Sequence, residues 1–322
     1  MPPIPTLVFS ADDRFAGPLL CAAYSCLVNT TAPHVRIFIL DNGIQDRAAF
    51  EVLHQRYRGR LDLHWVDSRA QTGEAMQHMQ GQSMHPWLSG ATLTRLFVGH
   101  LLPETVRWVL YLDSDVLVLG DVRELFEAVD PATPFQAVVS GLRRWVDRWP
   151  AGPWSTEEAQ RPYYNAGVLM IDLDAWRQGE IASRSLRCAE RQDLGALTLG
   201  DQDLLNLVLG PAFTPLDPNW NRAPGHIRSR TGWRLSDVQR ALAEGTVRVL
   251  HFIGPHKPWN GYYLRPFSPE HILAWWSYSR YRLALHREQW WTTLWEIVAT
   301  QLQHFGPSLR RSLRYRLGRR AS

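Results

Sequence analysis

The feature that most constrains the fold is an alternation of short apolar runs with helical segments at the start of the chain. Apolar runs of strand length begin at Thr6, Val35 and Leu61, and segments with helical character lie between them, at about 18–27 and 46–57. Strands that alternate with helices in this way form parallel sheets with crossover helices. The alternation therefore predicts an α/β fold with a mostly parallel twisted sheet flanked by helices.

The strongest strand candidate lies further along the chain. It runs from Val106 to Leu112 and leads directly into Asp113-Ser114-Asp115 and a second apolar run that begins at Val116. Later strands are predicted at 135–139, 166–172 and 247–251, and helices at 90–102, 121–129, 174–192 and 201–209. Composition predicts loops at 69–87, which is polar, and at 143–162, which is rich in Trp and Pro. The sequence contains no glycine-rich phosphate loop of the Walker or dinucleotide-binding type.

Length and cysteine content limit the class of protein. With 322 residues, the chain has room for one large α/β domain with an extension, or for two domains. Cys21, Cys26 and Cys188 are an odd number without metal-type spacing, which predicts a reducing compartment and no disulfide framework. We find neither the pattern of a signal peptide nor an apolar run of about 18 residues that predicts a transmembrane helix. These features predict a cytoplasmic protein.

Asp113 and Asp115 interrupt a run that is apolar on both sides. Side chains two residues apart in an extended segment point the same way, and a charge without a partner in such surroundings is costly. Two carboxylates at the carboxyl end of a parallel strand make a site for a hard divalent cation. The alternative is a pair of solvated turn aspartates, but the apolar flanks favour metal binding.

A second polar string begins where the predicted strand at 247–251 ends. His251 closes that strand, and Gly254 and Lys257, the only lysine in the chain, follow within six residues. An imidazole can complete a carboxylate site for Mn²⁺ or Mg²⁺, a glycine lets backbone approach a ligand, and a lysine places a point charge on phosphate. A lone histidine at a strand end is more often structural, so the interpretation depends on the whole string.

Three more polar segments lie at the ends of predicted strands or helices. Asp12-Asp13 ends the first strand and either contacts a base or ribose or caps the following helix. Asn165-Ala166-Gly167 precedes a predicted strand, and Gly200-Asp201-Gln202-Asp203 starts a helix. Amides and carboxylates at such edges suit ligands with many hydroxyl groups. The alternative for the last two segments is a glycine turn followed by an N-capping aspartate.

The C-terminal region is aromatic and basic. It contains ten Arg against three acidic residues from Tyr262 to Ser322, although the whole chain has a net charge of only +4. Trp291, Leu294, Trp295, Val298 and Leu302 fall on one helical face, and Arg310, Arg311, Arg314, Arg316, Arg319 and Arg320 follow. This pattern predicts peripheral attachment to an anionic membrane, on its inner face in a cytoplasmic protein. The alternative is a helix packed on the rest of the protein. No motif for binding nucleic acid is present, so none is expected.

Six strings in this sequence together resemble glycosyltransferase family 8, and especially the bacterial lipopolysaccharide galactosyl- and glucosyltransferases. They follow one another in the family's order over roughly residues 6–260. The strings are Val8-Phe9-Ser10-Ala11-Asp12-Asp13, Leu93-Thr94-Arg95-Leu96, Val109-Leu110-Tyr111-Leu112-Asp113-Ser114-Asp115-Val116-Leu117-Val118, Tyr164-Asn165-Ala166-Gly167-Val168-Leu169, Asp201-Gln202-Asp203 and His251-Phe252-Ile253-Gly254-Pro255-His256-Lys257-Pro258-Trp259.

The resemblance implies a GT-A fold with a Rossmann-like nucleotide-binding half over residues 1–260 and a helical C-terminal region over 261–322. It implies that Asp113, Asp115 and His251 bind Mn²⁺, with Mg²⁺ as the alternative. The residues implied to bind the donor are Ser10, Asp12, Asp13, Phe15, Arg95, Ser114, Asn165, Ala166, Gly254 and Lys257. Arg14 and Phe15 stand where the family commonly has Asn and Tyr. Phe15 can still stack on a base, without the hydroxyl.

The implied activity is that of a retaining hexosyltransferase. It would move galactose or glucose from a UDP-sugar to a saccharide acceptor, such as lipopolysaccharide, a lipid-linked saccharide or another cell-surface glycan. Gln202 matches the residue at the reacting face of the sugar, and an amide is a poor nucleophile. We therefore expect a front-face route in which Gln202 orients the sugar or stabilises the transition state, with Asp201 as the second candidate for a nucleophile. The alternatives are a metal-dependent nucleotide-sugar hydrolase or phosphoesterase, and a non-catalytic saccharide-binding protein.

Overall fold

The computed structural model describes residues 3–80, 82, 89–150, 152–190, 197–224, 246–255, 257–260 and 269–300. Within these residues, the strands form one sheet of seven strands and one sheet of two. The strands are β1 (Thr6–Ala11), β2 (Val35–Asp41), β3 (Leu61–Asp67), β4 (Trp108–Asp113), β5 (Val116–Val118), β6 (Phe135–Arg144), β7 (Pro162–Asp172), β8 (Phe213–Pro215) and β9 (Val249–His251).

The seven-stranded sheet has the strand order β3-β2-β1-β4-β7-β6-β8. β1 pairs in parallel with β2 and β4, β2 pairs in parallel with β3, and β6 pairs in parallel with β8. β7 runs antiparallel to both β4 and β6. The sheet is therefore mostly parallel, which confirms the fold class that the alternation of strands and helices predicts.

Position in the sheet explains the sequence of each strand. β1 is an inner strand, and all six of its residues are buried. β3 lies at the edge, and only its first residue, Leu61, is buried. An inner parallel strand is covered on both faces and is therefore apolar throughout, whereas an edge strand retains an exposed side. This difference accounts for the continuous apolar run at Thr6 and the alternating pattern at Leu61.

The helices are α1 (Ala16–Asn29), α2 (Ala48–Arg56), α3 (Arg69–His78), α4 (Val98–Leu101), α5 (Arg123–Glu127), α6 (Trp145–Arg148), α7 (Thr156–Ala159), α8 (Leu173–Gln178), α9 (Ile181–Ala189), α10 (Asp201–Leu209) and α11 (Pro269–Leu285). Short 3-10 helices lie at Asp13–Phe15, Gly90–Phe97, Gly210–Ala212, Pro218–Asn221 and Arg287–Gln289, and residues 290–300 are helical. The single helix predicted at 174–192 is divided into α8 and α9 at Glu180, which has a positive φ of 47°.

Three other predictions differ from the structure. Residues 69–78 form α3 rather than the predicted loop. The sequence did not predict this helix because it is polar, buries Ala75 and has no apolar face. The predicted loop at 143–162 contains α6 and α7. β7 begins at Pro162, so Asn165 and Ala166 lie inside a strand and not before one.

The chain forms two compact units. The first comprises the described residues within 1–20, 30–114 and 121–220, and it holds the seven-stranded sheet. The second comprises those within 21–29, 115–120 and 221–322, and it holds the pair β5–β9. Its core consists of Cys21, Leu117, Val247, Leu250, Phe252, Ala274 and Tyr278. The predicted division of the chain near residue 260 stays a prediction.

The structure describes part of the C-terminal segment that is predicted to bind a membrane. Trp291 and Trp295 are each 69% exposed, and Val298 is also exposed. Leu302 and the arginines from Arg310 to Arg320 lie outside the described residues. Among the residues that are described, no helix has both the length and the apolar character needed to span a bilayer.

Candidate active site

In the first unit, the carboxyl ends of β1 and β4 bring several polar residues together. The two strands pair with Ser10 opposite Asp113. Ser114 follows in a turn, and its hydroxyl donates to the carbonyl oxygen of Ser10 at 2.7 Å. The structure thus has a turn at Ser114-Asp115 instead of the extended segment expected from the sequence. The pairing and this hydrogen bond fix the position of the Asp113 carboxylate.

Arg95 connects Asp113 to Asp201. Its guanidinium donates to Asp113 Oδ1 at 2.7 Å, and its Nε lies 2.6 Å from Asp201 Oδ2. It also donates to the carbonyl oxygens of Thr92 and Ala166. Arg95 is only 3% exposed. A buried guanidinium needs paired charges and acceptors of this kind, so the structure places Arg95 as a fixed cation between two carboxylates.

The Asp201 carboxyl is buried at the first position of α10. Burial raises its pKa, the charge of Arg95 lowers it, and the net result is a pKa of about 7. Desolvation therefore outweighs the ion pair at this site. A carboxyl group with such a pKa is suited to exchange a proton near neutral pH.

The side-chain amide of Gln202 lies beside β7. Its Oε1 accepts from Asn165 Nδ2 at 3.0 Å and from the backbone N–H of Ala166 at 3.1 Å, and its Nε2 donates to the Tyr163 hydroxyl at 3.2 Å. Both ends of the amide are therefore engaged. The structure brings Asn165, Ala166 and Gln202 together, and their contact with a sugar stays a prediction.

Gln202 is linked by a chain of hydrogen bonds to three residues, Tyr163, Asp203 and Arg148. The sequence did not predict them as site residues. Tyr163 donates to Asp203 Oδ1 at 2.6 Å, and Arg148 donates to Asp203 through Nε at 2.8 Å and Nη2 at 2.6 Å. Asp203 is fully buried. The sequence offered a partial signal, because Asp203 belongs to the Asp201-Gln202-Asp203 string. Nothing in the sequence pointed to Arg148, which lies in a segment predicted as a loop.

The end of β1 holds the other residues predicted to contact the nucleotide. Ser10 donates to the carbonyl oxygen of Ala91 at 2.8 Å. Asp12 caps the 3-10 helix by accepting from the Arg14 N–H at 3.1 Å, and it pairs with the Arg14 guanidinium at 2.9 Å. Asp13 accepts from the Gln45 N–H at 2.9 Å, and Phe15 is half-buried. The capping interpretation of Asp12 is thus confirmed, and its contact with a nucleotide stays a prediction.

In the second unit, β5 and β9 place Asp115 next to His251. The strands pair with Val116 opposite His251, and the Phe252 N–H donates to the Asp115 carbonyl oxygen at 3.0 Å. His251 Nε2 lies 3.2 Å from Asp115 Oδ1, and His251 Nδ1 lies 2.8 Å from Asn221 Oδ1. An amide oxygen accepts hydrogen bonds, so Nδ1 carries the hydrogen and Nε2 faces the carboxylate. Asn221 was not predicted from the sequence.

Lys257 is buried beside the same carboxylate. Its ammonium donates to Asp115 Oδ2 and to the carbonyl oxygen of Phe252, the latter at 2.7 Å. Burial raises the pKa of the Asp115 carboxyl, but the charge of Lys257 and the contact with His251 outweigh burial and hold that pKa far below its usual range. Gly254 has a φ of +89°, and among the described residues, apart from Gly254 and its two chain neighbours, no heavy atom lies within 4 Å of the position where a Cβ would be. Glycine is therefore required there by backbone conformation and not by crowding.

In the described part of the chain, Asp113, Asp115 and His251 form a group of residues that could hold a metal ion. Each offers one ligand atom, and these atoms lie within 4.8 Å of one another. Two carboxylate oxygens and an imidazole nitrogen with a fixed tautomer suit a hard or borderline divalent cation such as Mg²⁺ or Mn²⁺. The donor set therefore fits the cation that the sequence predicts.

The chain matches a known protein family over most of its length. The family model for glycosyl transferase family 8 matches residues 6–262. The chain belongs to glycosyltransferase family 8. The match covers most of the chain and confirms the resemblance carried by the six sequence strings.

Two curated proteins are similar to the chain over most of its length. General stress protein A of Bacillus subtilis is 25% identical over 281 residues, which are 83% of this chain and 91% of the relative. Lipopolysaccharide 1,3-galactosyltransferase of Salmonella typhimurium is 24% identical over 233 residues, which are 71% of this chain and 65% of the relative. The chain thus spans almost all of the first relative and just under two thirds of the second.

A solved galactosyltransferase structure shares the fold. The galactosyltransferase LgtC, solved with donor and acceptor sugar analogues, superposes with a TM-score of 0.67 at 25% identity and covers 87% of this chain and 96% of its own. This likeness confirms the GT-A fold. Neither the family model nor the structural match tests the roles of individual residues, which stay predictions.

Proposed function

We propose that this family 8 glycosyltransferase is a retaining hexosyltransferase that uses a UDP-sugar and a divalent cation, Mn²⁺ or alternatively Mg²⁺. The observation that carries the proposal is the convergence of Asp113, Asp115 and His251 within 4.8 Å. The donor sugar would be galactose or glucose. The acceptor would be a saccharide of lipopolysaccharide or of another cell-surface glycan, since one relative is a lipopolysaccharide galactosyltransferase.

The reaction requires stabilisation of a leaving diphosphate. The anomeric C–O bond breaks with its electron pair remaining on UDP, and the acceptor oxygen bonds to the anomeric carbon on the same face. The acceptor proton passes to the departing phosphate oxygen. A bound divalent cation would supply Lewis-acid stabilisation of the diphosphate. Lys257 and the backbone at Gly254 would bind the diphosphate, and Ser10, Asp12, Asp13, Phe15 and Ser114 would hold the nucleoside.

The residues around the first turn of α10 would act on the sugar. Arg95 and Asn165 would bind its hydroxyl groups, and the amide of Gln202 would stabilise positive charge that develops at the anomeric centre. Asp201 is the second candidate for a catalytic group, because it is a carboxyl group whose pKa is about 7. A covalent glycosyl adduct on Asp201, trapped and located by mass spectrometry, would replace the front-face route with a double displacement.

The test of the proposed function is a panel of UDP-sugars with Mn²⁺ or Mg²⁺, with and without saccharide acceptors, read by UDP release and by thermal shift. We expect UDP-galactose or UDP-glucose to release UDP faster when an acceptor is present. The Asp115→Asn variant should lose this activity, typically by about 10²–10³-fold. Asp217→Asn, at an exposed position, is the matched control.

Other outcomes of this panel assign other functions. UDP release that no acceptor accelerates would indicate a nucleotide-sugar hydrolase. Thermal stabilisation by saccharides without any UDP release would indicate a binding protein. Either result would contradict the transferase proposal.

We also propose that the protein associates peripherally with a membrane. Trp291 and Trp295 are exposed on the helical segment 290–300, and the basic segment follows them in sequence. Exposed tryptophans with nearby arginines favour the interface of an anionic bilayer. This would bring a cytoplasmic enzyme to a lipid-linked acceptor on the inner face of the membrane.

Flotation with liposomes tests this association. We expect the protein to float with vesicles that contain anionic lipid and much less with zwitterionic vesicles. The double variant Trp291→Ala/Trp295→Ala should float less, whereas Val52→Ala, which removes an exposed apolar side chain in the first unit, should behave like the unmodified protein. Equal flotation of all three proteins would refute a role for the tryptophans.

A further inference from the structure

The amide of Gln202 has two possible orientations, and its neighbours accept only one. Oε1 meets two donors, Asn165 Nδ2 and the Ala166 N–H, while Nε2 meets the Tyr163 oxygen. The Ala166 N–H is a backbone donor and cannot reverse its role. Rotating the amide by 180° would place its NH₂ group against that N–H and its oxygen against the Tyr163 oxygen.

The direction of the Tyr163 hydroxyl completes this selection. A phenol has one proton, and that of Tyr163 goes to Asp203 Oδ1 at 2.6 Å. The Tyr163 oxygen is then left as an acceptor for Gln202. Burial, followed by the charge of Asp203, raises the pKa of Tyr163 well above its ordinary value, so the hydroxyl keeps its proton. Tyr163 is 0% exposed, and Trp149 packs edge-on against its ring at 5.6 Å.

Asp203 in turn is held as a charged acceptor. Arg148 approaches both of its oxygens, and the backbone N–H of Leu199 donates to Oδ2 at 2.8 Å. A fully buried carboxylate with a bidentate guanidinium partner has little freedom to rotate. The chain of contacts Arg148–Asp203–Tyr163–Gln202 therefore runs from α6 to the amide without a break.

We propose that Tyr163, fixed by Asp203 and Arg148, is a positioning residue that holds the Gln202 amide with its nitrogen toward Tyr163 and its oxygen toward Asn165 and Ala166. This inference rests on the proposed function, in which Gln202 stabilises charge at the anomeric centre. A dipole stabilises a transition state when it is oriented in advance, because no energy is then spent on turning it. Tyr163 supplies that orientation without touching the substrate.

The test uses Tyr163→Phe, which removes one hydroxyl and retains the ring. Tyr164→Phe is the matched control, because Tyr164 is buried in the same strand and its hydroxyl donates to the carbonyl oxygen of Phe213 at 3.4 Å. The first readout is the NMR signal of the Gln202 side-chain amide, assigned by its loss in Gln202→Ala. We expect the exchange of its hydrogens with water to accelerate in Tyr163→Phe and to stay unchanged in Tyr164→Phe.

The second readout is steady-state transfer. We expect Tyr163→Phe to lower kcat roughly tenfold, the size of one well-made hydrogen bond, and to leave KM for the UDP-sugar unchanged. In the Gln202→Ala background the same substitution should have no effect on kcat. A merely structural role would instead lower kcat by the same factor in both backgrounds.

The outcomes separate this inference from the proposed function. Amide exchange that is equal in Tyr163→Phe and the unmodified protein overturns the positioning role, whether or not the protein transfers sugar. Equal losses of kcat in the two backgrounds also overturn it. Faster amide exchange in a protein that transfers no hexose supports the positioning of Gln202 and refutes the proposed function.

Discussion

The contact between Asn221 and His251 gives the sharpest prediction for the proposed metal site. His251 is 3% exposed, and its Nδ1 lies 2.8 Å from Asn221 Oδ1. This contact places the hydrogen on Nδ1 and leaves the Nε2 lone pair for a cation. In Asn221→Ala the ring loses the partner that fixes its tautomer and its rotation.

The expected loss follows from the role of such partners. Removing the hydrogen-bond partner of a metal-ligating histidine typically weakens metal binding about 10–100-fold, which corresponds to about 1.4–2.7 kcal/mol. Titration with Mn²⁺, followed by calorimetry, measures this loss. Asn219→Ala, two residues away on the same 3-10 helix, is the matched control.

Stability must be measured separately from metal affinity. Leaving the buried Nδ1 hydrogen without its acceptor is expected to cost about 1–3 kcal/mol of unfolding free energy, which denaturation in the presence of a chelator reports. A folded Asn221→Ala variant that binds Mn²⁺ within about twofold of the unmodified protein would refute the reasoning, because a 10–100-fold loss is expected. It would show that Asn221 does not orient a metal ligand.

Three further predictions concern charge and backbone conformation. Lys257→Met should strengthen Mn²⁺ binding by roughly tenfold in titrations without nucleotide, because it removes a cation that contacts Asp115, and it should reduce UDP release in the transfer assay. Gly254→Ala should lower the free energy of unfolding by about 1–2 kcal/mol because of its positive φ, whereas Gly73→Ala, at an exposed helical position, should raise it by about 0.5–1 kcal/mol. The pKa of about 7 at Asp201 means that the folded state holds a proton that the unfolded state releases near pH 4. The free energy of unfolding should therefore fall as pH rises from about 4 to 7. Denaturation curves at several pH values should show that Asp201→Asn removes this pH dependence.

The sequence predicted the elements that depend on apolar patterning. β1, β2 and β4 are inner strands of the mostly parallel sheet, and their apolar runs identified them. α3 was missed because hydrogen bonds between side chains help to hold it, including one of 2.6 Å between Thr72 and Thr94. Such contacts depend on residues from another part of the chain and leave no periodic pattern.

The sequence also predicted the site residues that interrupt an apolar pattern. Asp113 and His251 end apolar strands, where a polar residue calls for an explanation, so each was identified from the sequence alone. Asn221 and Arg148 lie in a 3-10 helix and a four-residue helix, where polar residues are common. Their importance comes from what they contact, and a single sequence does not contain that information.

Lys257 shows why residue type and spacing give only part of a mechanism. The sequence predicts a lysine that contacts phosphate, and the structure places its ammonium on Asp115 and on the carbonyl oxygen of Phe252. The Lys257 ammonium cannot pair with Asp115 and with a diphosphate at the same time. A divalent cation bound at Asp115 would repel the ammonium. Cation and nucleotide should therefore bind with positive cooperativity, since each favours moving Lys257 from Asp115 toward phosphate.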